Sequence, residues 1–187
     1  MGRIKQMTPN VMRLLKACFV EQIPDEVCDE FHLKKDTEHM ILITKDGGMP
    51  ISKIKPLSDS QVLSVLSQIL LSLYIGKREL QFSHNDLNPG NLLISETKKK
   101  SISYKKDGKS IKIKSHGRFL TLIDLQKSTF DEKEDKGLDC WKLNSRVRDQ
   151  FLPLVKEDTK KILAKVAEEI EKTTILDWKL PGMLPIQ

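Results

Sequence analysis

The clearest hydrophobic pattern in the chain covers residues 58–78. Apolar side chains recur there at intervals of three and four residues, which is typical of a helix with a broad buried face. Ser58 can cap the amino terminus of this helix, and Gln61 three residues later completes a capping box. The pattern predicts a helix over Ser58–Arg78 at the centre of a helical subdomain.

Shorter apolar runs that are bounded by turn residues are typical of strands. One such run leads into Lys45-Asp46-Gly47-Gly48, which is a strong turn signal. Two segments of alternating polar and apolar residues flank residues 106–109 and predict a β-hairpin. The predicted strands are His39–Thr44, Leu92–Ile94, Ser101–Tyr104, Ser110–Lys114 and Phe119–Ile123.

Weaker patterns occupy the rest of the chain. Asn10–Phe19 is mixed and could be a helix end that runs into a strand, whereas the polar segment Ile23–Lys35 predicts a loop. A further helix is predicted over Leu138–Asn144. An amphipathic helix is predicted over Val155–Glu171, and the side chains expected to face the core are Val155, Ile162, Val166 and Ile170.

The composition is that of an ordinary globular domain. The chain has 187 residues, 39% of them hydrophobic and 31% charged, which suits one domain with a hydrophobic core. The net charge is +6, and much of the excess lies within Lys98–Lys114. Such a basic stretch fits contact with phosphates, acidic surfaces or chromatin, and it also fits a simple solvated hairpin.

Cysteine use and hydropathy bear on the compartment. The three cysteines are widely spaced and form no C-x-x-C pair, so neither a zinc site nor a disulfide framework is expected. No stretch approaches the ~20 apolar residues of a membrane span, and the first residues lack the apolar core of a signal peptide. We therefore expect an intracellular protein with no membrane partner.

Residues 84–91 carry the strongest chemical signal. His84, Asp86 and Asn91 follow the pattern H-x-D-x-x-x-x-N, and a short apolar strand comes next. Phosphoryl transfer needs a carboxylate beside the acceptor hydroxyl and oxygen ligands for the magnesium on the phosphates. In this pattern the aspartate meets the hydroxyl, and the asparagine turns back toward the metal.

A second carboxylate is expected on a neighbouring strand. The apolar run Leu120–Ile123 ends abruptly in Asp124. Mg²⁺ prefers oxygen ligands and commonly takes only one or two protein carboxylates, so Asp124 and the Asn91 amide suit it. An isolated H-x-D is common in polar loops, and an apolar strand that ends in aspartate is similarly common. Their combination with the long helix and the hairpin predicts phosphoryl transfer from ATP with Mg²⁺.

These residues resemble the haspin kinases, an atypical branch of the eukaryotic protein kinases. Residues 41–48 resemble the strand-to-hinge segment of that family, which also ends in Gly-Gly, and residues 82–91 resemble its catalytic loop. The hairpin over 101–114 is similar to the family's insertion before the metal-binding aspartate. As in haspins, Asp124 is not followed by Phe-Gly, and no A-P-E motif comes after it.

The resemblance implies roles for individual residues. Asp86 is then the catalytic base, His84 organises the loop, and Asp139 braces it. Asn91 and Asp124 are the implied magnesium ligands. The implied nucleotide-binding residues are Thr44, Lys45 and Asp46 in the hinge, Leu93 beneath the adenine, and Ile123 next to the metal-binding aspartate.

The implied fold is an α+β, protein-kinase-like domain. Residues 1–48 would form a remnant of the amino-terminal sheet with the hinge, and residues 49–187 a mainly helical carboxy-terminal lobe with short β-hairpins. The implied activity is ATP- and Mg²⁺-dependent transfer to a serine or threonine of a protein. In this family the acceptor is a threonine near the start of a histone tail. This implies a nuclear protein that contacts chromatin without sequence-specific nucleic-acid binding.

The chain also departs from the kinase pattern. Asn85 and Asn88 replace, respectively, the usual arginine and a residue that often contacts the transferred phosphate. Residues 1–40 contain neither a glycine-rich loop nor a V-A-I-K-like strand, the parts that clamp the α- and β-phosphates. Three explanations stay open: a truncated sequence, a partner chain that completes the lobe, or a degenerate relative.

Two other functions therefore stand beside an active protein kinase. A non-catalytic pseudokinase or interaction module is the main alternative, because the phosphate clamp is missing from the sequence. The presence of Asp86, Asn91 and Asp124 together argues against it, since no folding requirement demands the three side chains. A small-molecule phosphotransferase with a comparable H-x-D-x-x-x-x-N loop is a weaker third interpretation.

Overall fold

The computed structural model describes residues 8–35, 37–130, 138–146, 149, 151–172 and 175. The chain forms two compact units, Met12–Asp46 and a larger unit composed of Met1–Val11 and Gly47–Gln187. Residues 8–11 therefore belong to the larger unit. The division into 1–48 and 49–187 stays a prediction.

The smaller unit contains a two-stranded antiparallel ribbon. Strand β1 (Leu14–Val20) pairs with β2 (His39–Thr44), and the register shifts once, between Leu14 and Lys16. The strand predicted over His39–Thr44 is confirmed. The mixed segment Asn10–Phe19 contributes to β1 and contains no helix.

A short helix, α1 (Asp25–Phe31), shows that the prediction of a loop over Ile23–Lys35 was wrong. Asp25 and Glu26 lie in its first turn, where carboxylates interact favourably with the helix dipole. Cys28 is its only buried residue. With one buried position in seven residues, the helix has no repeating spacing of apolar side chains, so the sequence pattern could not reveal it.

The larger unit combines helices with short strands. Its described elements are β3 (Met49–Pro50), α2 (Asp59–Leu80), β4 (Leu92–Glu96), β5 (Ser101–Lys106), β6 (Lys109–Lys114), β7 (Arg118–Leu122), α3 (Leu138–Arg146) and α4 (Glu157–Lys172). The predicted helices, strands and hairpin are confirmed with small changes at their ends. The α+β class is confirmed at the level of mixed helices and small sheets. Within the described part of the chain, no helix has the length and apolar composition needed to cross a membrane.

Helix α2 forms the centre of the core. The Ser58 side chain accepts from the Gln61 N–H, and the Gln61 side chain accepts from the Ser58 N–H, so the predicted capping box is confirmed. Apolar side chains of α2 pack in one cluster with residues from β4, β7, α3 and α4. Fully burying one such side chain contributes about 1.5–3 kcal/mol. The helix is therefore the main apolar support of the unit.

Three strands form a small antiparallel sheet in the order β3–β4–β7. Gly48 has a φ of 97°, and a Cβ atom there would lie 2.3 Å from the Ile94 carbonyl oxygen. The second glycine of the predicted turn is thus required for β3 to approach β4. Leu92 at the start of β4 pairs with Leu122 at the end of β7. This register brings the residues before β4 beside those after β7.

Polar side chains cover the outer edge of β7. Gln68 of α2 accepts the Leu120 N–H through Oε1 and donates to the Arg118 carbonyl through Nε2. Asn10 donates through Nδ2 to the Leu120 carbonyl, and the Asn10 carbonyl accepts the Leu122 N–H at 2.6 Å. These bonds satisfy the strand edge without another strand and hold β7 in place.

The hairpin β5–β6 has two different faces. Ile102, Tyr104 and Ile113 are buried in the core together with residues of α2. Serine and lysine side chains alternate with them and occupy the exposed face. The period of two in the sequence therefore separates an apolar face from a basic one, as a half-buried strand requires.

The inward face predicted for the last helix needs one correction. Val166 and Ile170 are buried, and Val155 is buried just before the helix begins. Ile162, however, is 39% exposed, whereas its neighbour Leu163 is completely buried. The buried stripe is centred on Leu163 and Ile170, and a rotation of 100° per residue places Ile162 about 90° from that centre.

Candidate active site

The loop at residues 83–91 connects α2 with β4, and a buried carboxylate of α3 holds it. Asp139 Oδ2 accepts the His84 backbone N–H at 2.6 Å, and Oδ1 accepts the Asn85 N–H at 2.8 Å. Asp139 is only 3% exposed. Hydrogen bonds to an ionised carboxylate are stronger than those between neutral groups. Asp139 therefore braces the loop, as the resemblance implied.

His84 is completely buried and uses both ring nitrogens. Nε2 lies 3.0 Å from the Ile123 carbonyl oxygen, and Nδ1 lies 3.3 Å from the Asp86 backbone nitrogen. Because a carbonyl accepts and an amide donates, the ring is the neutral tautomer with its proton on Nε2. Burial lowers the pKa of His84 by penalising the imidazolium, although nearby Asp139 acts in the opposite direction. The ring links the Asp86 backbone to the residue that precedes Asp124.

The Asp86 carboxylate is paired with two lysines. Lys127 Nζ lies 3.1 Å from Oδ2, and Lys142 Nζ lies 3.1 Å from Oδ1. Their hydrogen bonds, that of Lys127 first, lower the pKa of Asp86 to about 2. The carboxylate is therefore ionised at neutral pH, and each of its oxygens faces a cation.

Two asparagine side chains form hydrogen bonds with backbone groups within the loop. Asn91 Nδ2 donates to the Asp86 carbonyl at 2.9 Å, so the amide oxygen Oδ1 is the atom that can accept a metal ion. Asn88 Oδ1 accepts the N–H groups of Gly90 and Asn91 at 2.9 and 3.2 Å. At the position where kinases often place a phosphate-contacting residue, this chain thus has a side chain that caps the short turn Pro89–Asn91.

Asp124 follows β7, and the residue before it is hydrogen-bonded to Asn91. The Ile123 N–H donates to the Asn91 carbonyl at 3.1 Å, and Asp124 is the next residue. Its φ of 59° lies in the left-handed region, which aspartate tolerates better than most residues. The chain turns there into Leu125–Lys127, and its side chain is exposed. The carboxylate is therefore accessible beside the loop at residues 83–91.

The donors at this position fit Mg²⁺. Asp124 offers a carboxylate and Asn91 an amide oxygen, and Mg²⁺ commonly keeps several waters while it binds one or two carboxylates and substrate phosphates. Among the described residues there is no group of three or more His, Cys, Asp or Glu side chains suited to a metal ion. A magnesium site here would therefore depend on oxygen ligands from water and nucleotide.

The residues predicted to contact the nucleotide fall in both units. Leu93 lies in β4 opposite Thr121, and alternation along the strand puts it on the face opposite to its core-facing neighbours. In the smaller unit the Lys45 N–H donates to the Arg13 carbonyl at 2.8 Å, just after β2. The nucleotide assignments stay predictions: Thr44, Lys45, Asp46, Leu93 and Ile123.

Sequence reasoning did not find the two lysines on Asp86. Lys142 lies three residues after Asp139 on α3, and this spacing along one helix face was a usable signal. Lys127 ends the 3-10 turn Leu125–Lys127, which is too short to carry such a signal. It reaches the loop because Ser83 and Thr129 form an antiparallel bridge with two backbone hydrogen bonds of 3.0 Å.

Comparison with known proteins gives one consistent family. A family model described as "Haspin like kinase domain" matches residues 4–144. The "Serine/threonine-protein kinase haspin homolog" of Drosophila melanogaster is 34% identical over 114 residues, which are 60% of this chain and 19% of that protein. The "Serine/threonine-protein kinase haspin" of Mus musculus is 33% identical over 93 residues, 49% of this chain and 12% of that protein.

A further relative is matched over a larger number of residues. The "Serine/threonine-protein kinase haspin" of Bos taurus is 31% identical over 121 residues, 64% of this chain and 15% of that protein. The chain thus spans less than a fifth of the length of these three relatives. The family match over residues 4–144 includes the loop, Asp124 and Asp139. The chain therefore belongs to the haspin-like kinase family.

Proposed function

We propose that this chain carries the phosphoryl-transfer part of a Ser/Thr protein kinase that moves the γ-phosphate of ATP to a protein hydroxyl. Membership of the haspin-like family supports a protein kinase function. The observation that carries the proposal is a connected set of polar groups. The Asp86 backbone bonds to the Asn91 side chain and, through His84, to the carbonyl next to Asp124. Phosphoryl transfer needs this grouping of base, amide and carboxylate.

Asp86 is the proposed group for the acceptor hydroxyl. A carboxylate with a pKa of about 2 is a weak base, so its main contribution is to orient the hydroxyl and to take its proton as the new P–O bond forms. Positioning and electrostatic stabilisation supply most of the catalysis in phosphoryl transfer. A weak but well-placed carboxylate therefore suffices.

Asn91 and Asp124 are the proposed ligands of Mg²⁺, which neutralises charge on the nucleotide phosphates when bound. Both side chains offer oxygen atoms at adjoining ends of β4 and β7. The adenine is proposed to contact backbone atoms of the hinge and apolar side chains. The residues proposed for these nucleotide contacts are Thr44, Lys45, Asp46, Leu93 and Ile123.

The proposed protein substrate is a histone, with a threonine near the start of its tail as acceptor, and the proposed compartment is the nucleus. The names of the relatives support the Ser/Thr class, and the resemblance to haspins supports the histone. The exposed lysines of the β5–β6 hairpin would attract the acidic components of chromatin without reading sequence. No membrane partner is proposed.

The test replaces Asp124 with asparagine. Wild-type protein should gain thermal stability from Mg-ATP and transfer labelled phosphate to a histone-tail peptide. Asp124→Asn should lose the magnesium-dependent part of the thermal shift, and transfer should fall by about 10²-fold or more. Asp158→Asn, on the exposed surface of α4, is the matched control and should behave as wild type. Unchanged transfer by Asp124→Asn would contradict the proposed metal ligand.

A second function, a non-catalytic interaction module, is supported by the pairing of both Asp86 oxygens with lysines. Thermal stability with Mg-ATP separates the two functions. A ligand that binds the native state at 100 times its Kd stabilises it by about 2.7 kcal/mol. No shift in melting temperature at millimolar Mg-ATP would favour the interaction module over the kinase.

A further inference from the structure

The two lysines on Asp86 are held very differently. Lys142 is 20% exposed and donates to the Asn85 carbonyl at 2.6 Å as well as to Asp86. The side chain of Lys127 is 67% exposed and donates to Asp86 Oδ2. Lys142 is thus fixed from two sides, whereas Lys127 reaches the carboxylate from an exposed turn.

An acceptor hydroxyl competes with the two lysines for the oxygens of Asp86, and the lysine that is held less firmly is the one that it would displace. Breaking the ion pair of Lys127 costs less free energy than breaking that of Lys142. Ion pairs with an exposed partner contribute little and carry the entropy cost of a restrained side chain. Removal of Lys142 would also leave the Asn85 carbonyl without that bond. Oδ2, the oxygen paired with Lys127, is therefore the one open to exchange.

The loop itself offers no cation for the transferred phosphoryl group. Asn88 is uncharged, and its side-chain oxygen already accepts two backbone N–H groups. A lysine released from Asp86 Oδ2 would lie within about one hydrogen-bond length of the acceptor hydroxyl, where charge builds up during transfer. A γ-phosphate carries more negative charge than a carboxylate and attracts an ammonium group more strongly.

We propose that Lys127 leaves Asp86 for the γ-phosphate of ATP and supplies the positive charge at the transferred group, while Lys142 stays on Asp86 as a positioning residue. This inference rests on the proposed function. It assigns a catalytic role to a residue of the exposed turn after Asp124. It also predicts that the protein distinguishes ATP from ADP through Lys127, because ADP has no γ-phosphate.

The experiment measures the affinities of Mg-ATP and Mg-ADP by isothermal titration calorimetry on the full chain. Lys127→Gln should lower the affinity for Mg-ATP about tenfold and leave the affinity for Mg-ADP unchanged. This is the change expected for the loss of one charge-assisted hydrogen bond to the γ-phosphate. Lys127→Arg should keep the ratio of the two affinities, and Lys127→Glu should lower it further. A purely structural role would not follow the charge of the side chain in this way.

Two comparison variants complete the series. Lys142→Gln should lower phosphate transfer and leave the ratio of ATP to ADP affinity unchanged, because that lysine stays on Asp86. Lys161→Gln removes one positive charge from the exposed surface of α4 and should change neither quantity. Melting temperatures without nucleotide check that each variant is folded.

Each outcome has a separate meaning. Nucleotide binding with an unchanged affinity ratio in Lys127→Gln would overturn the inference and leave the proposed function intact. A lowered ratio of ATP to ADP affinity in Lys142→Gln, without such a change in Lys127→Gln, would overturn the assignment of the two lysines. A wild-type chain that binds neither nucleotide would overturn the proposed function, and the inference with it.

Discussion

The two compact units differ in how they cover their apolar side chains. In the larger unit α2 is buried along most of its length and shares one core with the other helices and the short sheets. In the smaller unit Leu15, Phe19, Met40 and Leu42 are between 51 and 66% exposed. A two-stranded ribbon is marginally stable by itself in water. The strands of the smaller unit therefore need further apolar cover that the described residues do not give them.

Two groups of proposed site residues, those for hydroxyl and metal and those of the hinge, lie in different units. The residues proposed for hydroxyl and metal, Asp86, Asn91 and Asp124, lie in the unit with a complete core and a braced loop. The proposed hinge residues end a ribbon whose apolar side chains remain in water. The groups proposed for the reaction are thus held by a packed core, whereas the proposed hinge residues lie in a unit with exposed apolar strands.

The largest expected effect compares the same substitution in the two units. Leu66→Ala in α2 should lower the free energy of unfolding by about 2–5 kcal/mol, because Leu66 is completely buried and a cavity would remain. Leu42→Ala in β2 should lower it by less than about 1 kcal/mol, because Leu42 is half exposed. Urea denaturation followed by circular dichroism measures both. Equal losses would show that the ribbon is as well covered as the helix.

A smaller effect compares two carboxylates. Asp139→Asn should destabilise the protein by about 1–3 kcal/mol, since the buried side chain accepts N–H groups from His84 and Asn85. Asp25→Asn, which removes a solvent-exposed pair with Lys35 and one first-turn charge of α1, should cost less than about 1 kcal/mol. Thermal denaturation gives the stabilities, and hydrogen exchange should show faster exchange of the two loop amides in Asp139→Asn alone. Unchanged exchange there would contradict the bracing role.

The smallest effect is a pH dependence confined to the larger unit. The native pKa of His84 lies below its ordinary value of 6.5, so the unfolded chain binds more protons in the window just below pH 6.5. The stability that His84 contributes is complete above pH 6.5 and is lost as the pH falls through that window. The slope is at most about 1.4 kcal/mol per pH unit.

Replacement of the His84 imidazole ring isolates its contribution to the pH dependence of stability. His84→Gln should flatten the dependence of unfolding free energy on pH between 5 and 7 relative to wild type. Asp86 does not interfere, because its native pKa of about 2 keeps it ionised throughout that window. An unchanged slope in His84→Gln would mean that another histidine carries the dependence.

Features with local signals were predictable from the sequence. The capping box of Ser58 and Gln61, the helix that follows and the β5–β6 hairpin all depend on residues a few positions apart. Helix α1 was not predictable because its one buried residue, Cys28, leaves no apolar period. Ile162 was assigned to the buried face because a four-residue period alone does not say where the centre of the apolar stripe lies.

The sequence by itself determined the order of the main elements and the residues of the candidate site, because the H-x-D-x-x-x-x-N spacing and the strand ending in Asp124 are local patterns. Only the tertiary structure decided which cations meet Asp86. Lys127 and Lys142 lie 41 and 56 positions from it along the chain. The tautomer of His84 likewise depends on a carbonyl 39 positions away. Contacts at such separations follow from the packing of whole elements, and no local period records them.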